Sequence, residues 1–367
     1  MSMRSRLIVT AILFPVLTVL FLTVAPIGLS PEPSLALVAR VVPDNPSGSS
    51  PGARRPLDWN REPPEDIVGA ARTADSVVVF DARGWQSLAI ENERTLDLSV
   101  HGAVTAVDGV SAVLRPGETV LLQPRASAAV LRGDHVFSID GDGAGFTRIA
   151  DDGSPGIRSR VAGPLTALEV RSDQLWAADA FGFLYLYDEF ETARAGERVV
   201  IRRPEAGTQS AIYALSVHTD GRLAIVEGLR PSRITVVYPE QGRIEPLVSI
   251  DLDADINRPR HLAWADDTVL FETDSGIATL DTDGGDVNAY DIEGRVIGLV
   301  WHEALELILV ASERPDEARS RLSILYAEDL TVFTELDFSG SMYSMLHSDN
   351  HVFLGLDDMV LIYELTR

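Results

Sequence analysis

From about residue 75 onward the chain is written in short runs of Val, Ile, Leu and aromatic residues, broken every few positions by Gly, Asp, Pro or Asn. Apolar spacing of three and four residues never persists beyond a turn or two, so amphipathic helices are not expected. β-branched runs punctuated by turn formers predict strands joined by tight turns. The pattern is all-β.

The runs also repeat. "LSVHGAVTAVDG" (98–109) and "LSVHTDGRLAIVEG" (215–228) are near-twins, and they belong to a series with "AVLRGDHVFSIDG", "LEVRSDQLWAADAFG", "LAWADDTVLFETDSG", "LVWHEALELILVASE" and "SMLHSDNHVFLGLDD". Each reads as a hairpin of two strands. His101, Arg132, Arg171, His218, Ala265, His302 and His347 end the first strand, 31 to 47 residues apart. Asp108, Asp140, Asp179, Glu227, Asp274, Glu313 and Asp357 end the second, 32 to 48 residues apart. Further strands follow each hairpin, for example "FLYLYDEF" and "RLSILYAEDLTVFTEL".

A period near forty with two strands at its start and room for two more is that of a four-stranded propeller blade. The chain therefore resembles the seven-bladed β-propeller superfamily, of the WD-repeat and quinoprotein-like kind, from about residue 75 to the end. Neither a recurring Gly-His and Trp-Asp pair nor a tryptophan-docking repeat accompanies it. The last copy holds three strands, and ring closure predicts that its outer strand comes from Ser76–Phe80 or Trp85–Glu91, beside Met359–Leu365.

The first thirty residues are of another kind. Arg4 and Arg6 precede an uncharged run from Leu7 to Leu29, long enough to cross a bilayer core of roughly 30 Å. Positive residues ahead of the run predict a cytoplasmic N-terminus and an exported remainder. The alternative is a cleaved signal peptide at Thr23-Val24-Ala25, against which stand the length of the run and Pro26 after the cut. The Pro, Ser and Gly of residues 30–66 predict an extended tether. The expected order is a transmembrane anchor over 1–29, a linker over 30–66 and the propeller over 67–367, on the outer, periplasmic side of a cytoplasmic membrane.

Composition narrows the chemistry. The net charge of −24 repels nucleic acid along most of the surface. With no Cys there is no disulfide, thiolate metal site or Cys nucleophile, and with no Lys every side-chain cation other than His is Arg. Strand alternation puts the His/Arg set and the acidic set on opposite faces of the disc. Asp before Gly is ordinary turn chemistry. The rival reading is a carboxylate ring for a divalent cation or basic peptide.

His218, His302 and His347 at one repeat position indicate a shared role in the turn, since blade-equivalent residues stand on a circle while metal ligands converge. Trp176, Trp264 and Trp301 read as wedges between blades. "GSSPG" (48–52) lacks the strand and helix of a nucleophile elbow. "DGDGAGFTRIAD" (140–151) begins like a calcium loop but carries Ala144 and Asp151 where ligands belong, so a hairpin turn is expected.

These observations lead to a non-enzymatic module that binds a protein partner, with no cofactor and no catalytic residues. The competing expectation is a calcium-dependent propeller hydrolase or lactonase, its metal at the central channel held by Asp179, Glu227, Asp274 and Asp357.

Overall fold

A computed structural model describes residues 33–43, 54–90, 96–107, 110–122, 128–171, 174–187, 199–202, 210–228, 232–240, 243–252, 259–283 and 285–367. Their strands form eight antiparallel sheets, numbered here as blades I to VIII. Blade I holds Val68–Arg72, Ser76–Asp81 and Gly84–Ala89; blade II Asp97–Ser99, Gly102–Val107, Val110–Arg115 and Glu118–Leu121. Blade III holds Ala128–Arg132, His135–Ile139, Gly145–Ile149 and Pro155–Arg160; blade IV Leu165–Arg171, Gln174–Asp179, Leu184–Tyr187 and Val199–Arg202. Blade V holds Ile212–Val217, Leu223–Glu227, Arg233–Glu240 and Arg243–Asp251; blade VI Leu262–Ala265, Thr268–Glu272, Gly276–Asp281 and Val287–Asp291. Blade VII holds Arg295–His302, Leu307–Arg314, Arg319–Tyr326 and Val332–Ser339. Blade VIII holds Met342–Ser348, His351–Leu356 and Val360–Thr366, with Ser34–Val41 as its outer strand.

The first strands of consecutive blades touch one another around the whole circle, that of blade VIII returning to that of blade I. They therefore line the axis, and the fold is an eight-bladed β-propeller. The expected all-β propeller is present, but with eight blades rather than seven. The uncounted blade is the first: Arg72 ends its first strand and Asp81 its second, as in the other copies, but the hairpin stands ahead of the aligned series. Its strands read instead as spare material for closure.

Closure itself runs differently from the expectation. Neither Ser76–Phe80 nor the described part of Trp85–Glu91 lies beside Met359–Leu365; Ser34–Val41 does, with Ser34 opposite Thr366 and Val41 opposite Val360. "SLALVARV" sits inside the stretch read as an extended tether, because the flanking prolines masked a short apolar strand. The expected transmembrane run Leu7–Leu29 lies outside the described residues, as does "GSSPG". Among the described residues, no helix is long and apolar enough to cross a membrane.

Burial explains why the run signal was strong. The second strand of a blade packs on both faces, so Gly102–Val107, Leu223–Glu227 and His351–Leu356 are buried at every position. Such strands read as continuous apolar runs. Outer strands alternate instead, as Val332–Ser339 does between exposed and half-buried.

Eight apolar clusters result, one in each cleft between neighbouring blades. The cluster that joins VIII to I contains Val38, Ala39 and Val41 of the closing strand, with Trp85, Phe353 and Ile362. Phe80 and Phe353 meet there edge to face at 5.0 Å. Beside them the Ser344 hydroxyl accepts the Arg72 N–H at 2.9 Å and donates to the Arg72 carbonyl at 3.2 Å. Gly355 makes this approach possible, since a Cβ there would lie 1.8 Å from the Arg72 carbonyl oxygen.

Val38 is 1% exposed and Leu37 is 41% exposed. Val38→Asp is therefore expected to cost about 3 kcal/mol or more in urea unfolding, from lost apolar burial and a carboxylate taken out of water. Leu37→Asp is expected to stay within about 0.5 kcal/mol. Equal effects would show that the strand is not a working part of the ring.

Candidate functional site

Because strands alternate in direction, each blade's first and third turns open on one face of the disc and its second turn on the other. The acidic set lies on the second-turn face, and its members act locally. Asp179 is fully buried and accepts four hydrogen bonds: from the N–H groups of Phe181 and Phe183 at 3.0 Å, Gly163 at 2.9 Å and the Tyr185 hydroxyl at 2.8 Å. Its carboxylate thus ties the segment entering blade IV to the end of that blade's second strand.

The same staple recurs. Asp357 accepts the Ser341 N–H at 3.1 Å at the entry to blade VIII, and Glu313 pairs with Arg295 at the start of blade VII at 3.0 Å. In blade VI the staple is Glu272, which accepts the Arg260 N–H at 3.1 Å, and Asp274 is exposed in the turn beyond. Glu227 is buried and accepts the Thr235 hydroxyl at 2.9 Å within its own blade. Asp108 lies outside the described residues.

Asp179, Glu227, Asp274 and Asp357 therefore stand in four different blades. Among the described residues, no three His, Asp or Glu side chains are grouped as metal ligands would be. In "DGDGAGFTRIAD", Asp140 binds Arg158 and Asp142 accepts the Ala144 N–H at 3.0 Å, as in an ordinary hairpin turn.

The first-turn face carries a concavity of about 890 Å³ at the channel mouth over blades IV to VII. Its wall includes Glu169 and Arg171 from the end of an inner strand, Trp264 and Trp301 from two more, and Glu303, Glu306 and Glu328 from turns. The short 3₁₀ turn Glu303–Leu305 ends on Glu306 in a left-handed conformation, φ 54°, and the Glu306 carbonyl accepts the Ala327 N–H at 3.1 Å. That bond fixes the third turn of blade VII, with Glu328, against its first. Trp264 donates its indole N–H to the Ser216 carbonyl at 3.1 Å and carries His218 at 4.8 Å and the Arg222 guanidinium at 5.3 Å on its ring. Arg222 is in turn held by Asp220 and Asp267.

Against this bonded frame, the cavity carboxylates differ. Among the described residues, Glu169, Asp266, Glu303, Glu306 and Glu328 have no salt-bridge partner. Burial pushes the Glu169 carboxyl up to about 7, opposed by the charges of Arg132 and Arg171 through space. Glu169 therefore changes charge near neutral pH.

The histidine set holds a second difference from expectation. His302 and His347 occupy one repeat position in adjacent blades, and their rings lie 4.8 Å apart between centroids. Neighbouring blades converge enough near the axis for equivalent side chains to touch, so the circle argument fails for a pair. His302 is buried, and the His347 imidazole is pushed down to about 4 by burial and by His302 and His351. Trp176 is the expected wedge, buried between IV and V; Trp264 and Trp301 wedge and also face the cavity.

The family described as beta-propeller protein matches residues 110–366, more than half of the chain. Solved structures share the architecture at low identity. Sqt1 of Saccharomyces cerevisiae aligns with a TM-score of 0.63 and 12% identity, covering 90% of this chain and 99% of that one. BamB of Moraxella catarrhalis aligns at 0.57 and 16%, covering 90% and 100%. Apo AztD of Citrobacter koseri aligns at 0.50 and 14%, covering 75% and 87%. These likenesses are of fold. No curated protein matches the sequence.

Two measurements check the bonding described. Asp179→Ala strands four donors and is expected to cost about 3 kcal/mol or more, whereas removal of the exposed Asp274 is expected to cost under about 0.5 kcal/mol. For His347, whose ordinary value is 6.5, the unfolded chain takes up a proton before the folded one does. Its contribution is thus complete above pH 6.5 and is lost as pH falls toward 4. Between pH 7 and pH 5, His347→Gln is expected to remove from urea unfolding an acid-dependent loss of about 2 kcal/mol relative to the unsubstituted chain. An unchanged slope in that variant would refute the assignment.

Proposed function

The chain belongs to the beta-propeller protein family, and from that premise we propose that it is a protein-binding module carried on the outer side of a cytoplasmic membrane. The observation that carries the reading is the channel mouth on the first-turn face. There, a cavity with room for several side chains is walled by two tryptophans and by carboxylates that bond to nothing else described. Buried carboxylates elsewhere in the ring are spent on stapling turns. Those at the mouth are left over from folding, and polar groups not needed by the fold are available to a ligand. A rigid ring suits docking because a partner meets turns already fixed by the sheets, with little ordering left to oppose binding.

The membrane part of the proposal is supported by the sequence alone. Arg4 and Arg6 ahead of the uncharged run Leu7–Leu29 favour an anchor with its C-terminal side exported. Because Ser34–Val41 is a strand of blade VIII, only residues 30–33 would separate the anchor from the ring, which would then lie close to the bilayer.

A single labelling site tests both parts, because the chain has no cysteine of its own. Thr219, exposed at the cavity rim, is changed in Thr219→Cys and Phe181, 43% exposed on the opposite face, in Phe181→Cys. A membrane-impermeant maleimide carrying a photo-crosslinker is added to intact spheroplasts. The expected result is labelling of both, a polypeptide adduct from position 219 several-fold above that from 181, and retention of the protein in the carbonate-washed membrane pellet. Absence of labelling would refute the exported orientation, release by carbonate the anchor, and adducts no stronger at 219 than at 181 the docking face.

A further inference from the structure

We propose that the channel-mouth cavity receives the arginine or lysine side chains of an extended basic segment of the partner protein, with Glu169 as the innermost acceptor. The inference rests on the docking reading above and names the chemistry that the mouth selects.

The balance of charge is the first support. Glu169, Asp266, Glu303, Glu306 and Glu328 line the cavity against Arg171 as its one permanently charged cation. Elsewhere on the disc several acids are matched, Asp140 with Arg158, Asp337 and Glu335 with Arg321, Asp251 with Arg233 and Glu313 with Arg295, while others stand singly on exposed turns. The five cavity carboxylates have no such partner among the described residues. Asp266, Glu303, Glu306 and Glu328 are exposed at the rim and Glu169 is half-buried, and an incoming cation relieves their mutual repulsion.

Glu169 is the second and independent support. It is half-buried in the cavity wall, yet among the described residues it has neither a hydrogen bond nor an ion pair. A carboxyl so placed costs the fold free energy, since its desolvation is not offset by a bond. Asp179, fully buried on the other face, shows what the fold does with a carboxylate whose role is structural: four donors converge on it. Glu169 faces the cavity instead, where a guanidinium or ammonium would complete it through charge-assisted hydrogen bonds.

The aromatic wall is the third. Trp264 already carries one guanidinium, that of Arg222, on its ring at 5.3 Å, so a cation over an indole is a contact that this site demonstrably holds. Trp301 is half-buried and lines the same space with no ring contact of its own among the described residues. A flat cation over Trp301 and within reach of Glu169, Glu303 or Glu306 would combine cation–π attraction with ion pairing. The volume, about 890 Å³, exceeds the needs of one side chain, which favours a segment over a free amine.

The test uses the full chain in detergent at low salt, titrated with acetyl-Gly-Arg-Gly-Arg-Gly-amide, with its twin carrying citrulline for arginine, and with arginine amide alone. The expected result is binding of the arginine peptide at least tenfold tighter than of either control. Glu169→Gln is expected to weaken it about tenfold. The double change Glu303→Gln with Glu306→Gln, at two exposed turn positions, is expected to do likewise without touching the core. Glu62→Gln removes the same charge from an exposed site in the segment leading into blade I and is expected to change affinity less than twofold.

Equal binding of the citrulline twin would overturn the proposal, as would equal losses from Glu62→Gln and Glu169→Gln, which mark attraction to net charge only. Arginine amide binding as tightly as the peptide would overturn the segment in favour of a small cation. These failures are distinguishable from failure of the docking reading: a polypeptide still trapped at position 219 while the peptide does not bind leaves a docking face with other chemistry.

Discussion

Each sheet in this ring needs a neighbour on both faces. A four-stranded sheet with fully buried second strands has no stable solution as an isolated unit, because Gly102–Val107 or His351–Leu356 would expose a continuous apolar surface to water. Eight inter-blade clusters meet that need all the way around, and the last exists only because Ser34–Val41 crosses from the start of the chain to complete blade VIII. With a circle of sheets, removal of one strand opens an edge and a cleft together. Stability in the whole ring is thus tied to a short strand that lies far in sequence from its partners.

That dependence explains how the two faces differ. On the second-turn face, side chains are used up in holding blades in phase: Asp179, Glu313, Glu272 and Asp357 each bond the segment that enters their own blade. On the first-turn face the inner strands end close to the axis, and the turns of blades IV to VII stand back around a cavity. Carboxylates there are placed by the backbone without being consumed by it. The contrast between Asp179 and Glu169, one saturated with donors and the other with none, is the clearest expression of a division between parts that hold the ring and parts that face a ligand.

Proximity to the axis has a second consequence. Equivalent residues in neighbouring blades stand on a circle whose radius shrinks toward the inner strands, so His302 and His347 come into ring contact although 45 residues separate them. A repeat position therefore fixes neither isolation nor convergence. The distance from the axis decides it, together with the length of each turn.

The all-β character, the hairpin repeat and the opposite placement of the His/Arg and acidic sets were legible in the sequence, since they follow from local periodicity and turn chemistry. Seven of the eight inner hairpins could be aligned, on an acidic residue at the end of the second strand and, except in blade VI where Ala265 stands, on His or Arg at the end of the first. Blade I carries both signatures, in Arg72 and Asp81, yet its strands read equally well as material for closure, and "LALVARV" was hidden among prolines. Alternation tells a strand from a helix but does not say which sheet the strand joins. Glu169, Glu303, Glu306 and Glu328 come from four points on the chain with no shared spacing, and only the curvature of the ring gathers them. Pattern and propensity act over a few residues, so they set each hairpin; the number of blades, the closing partner and the site at the channel mouth depend on contacts between distant segments, which only the closed circle brings into being.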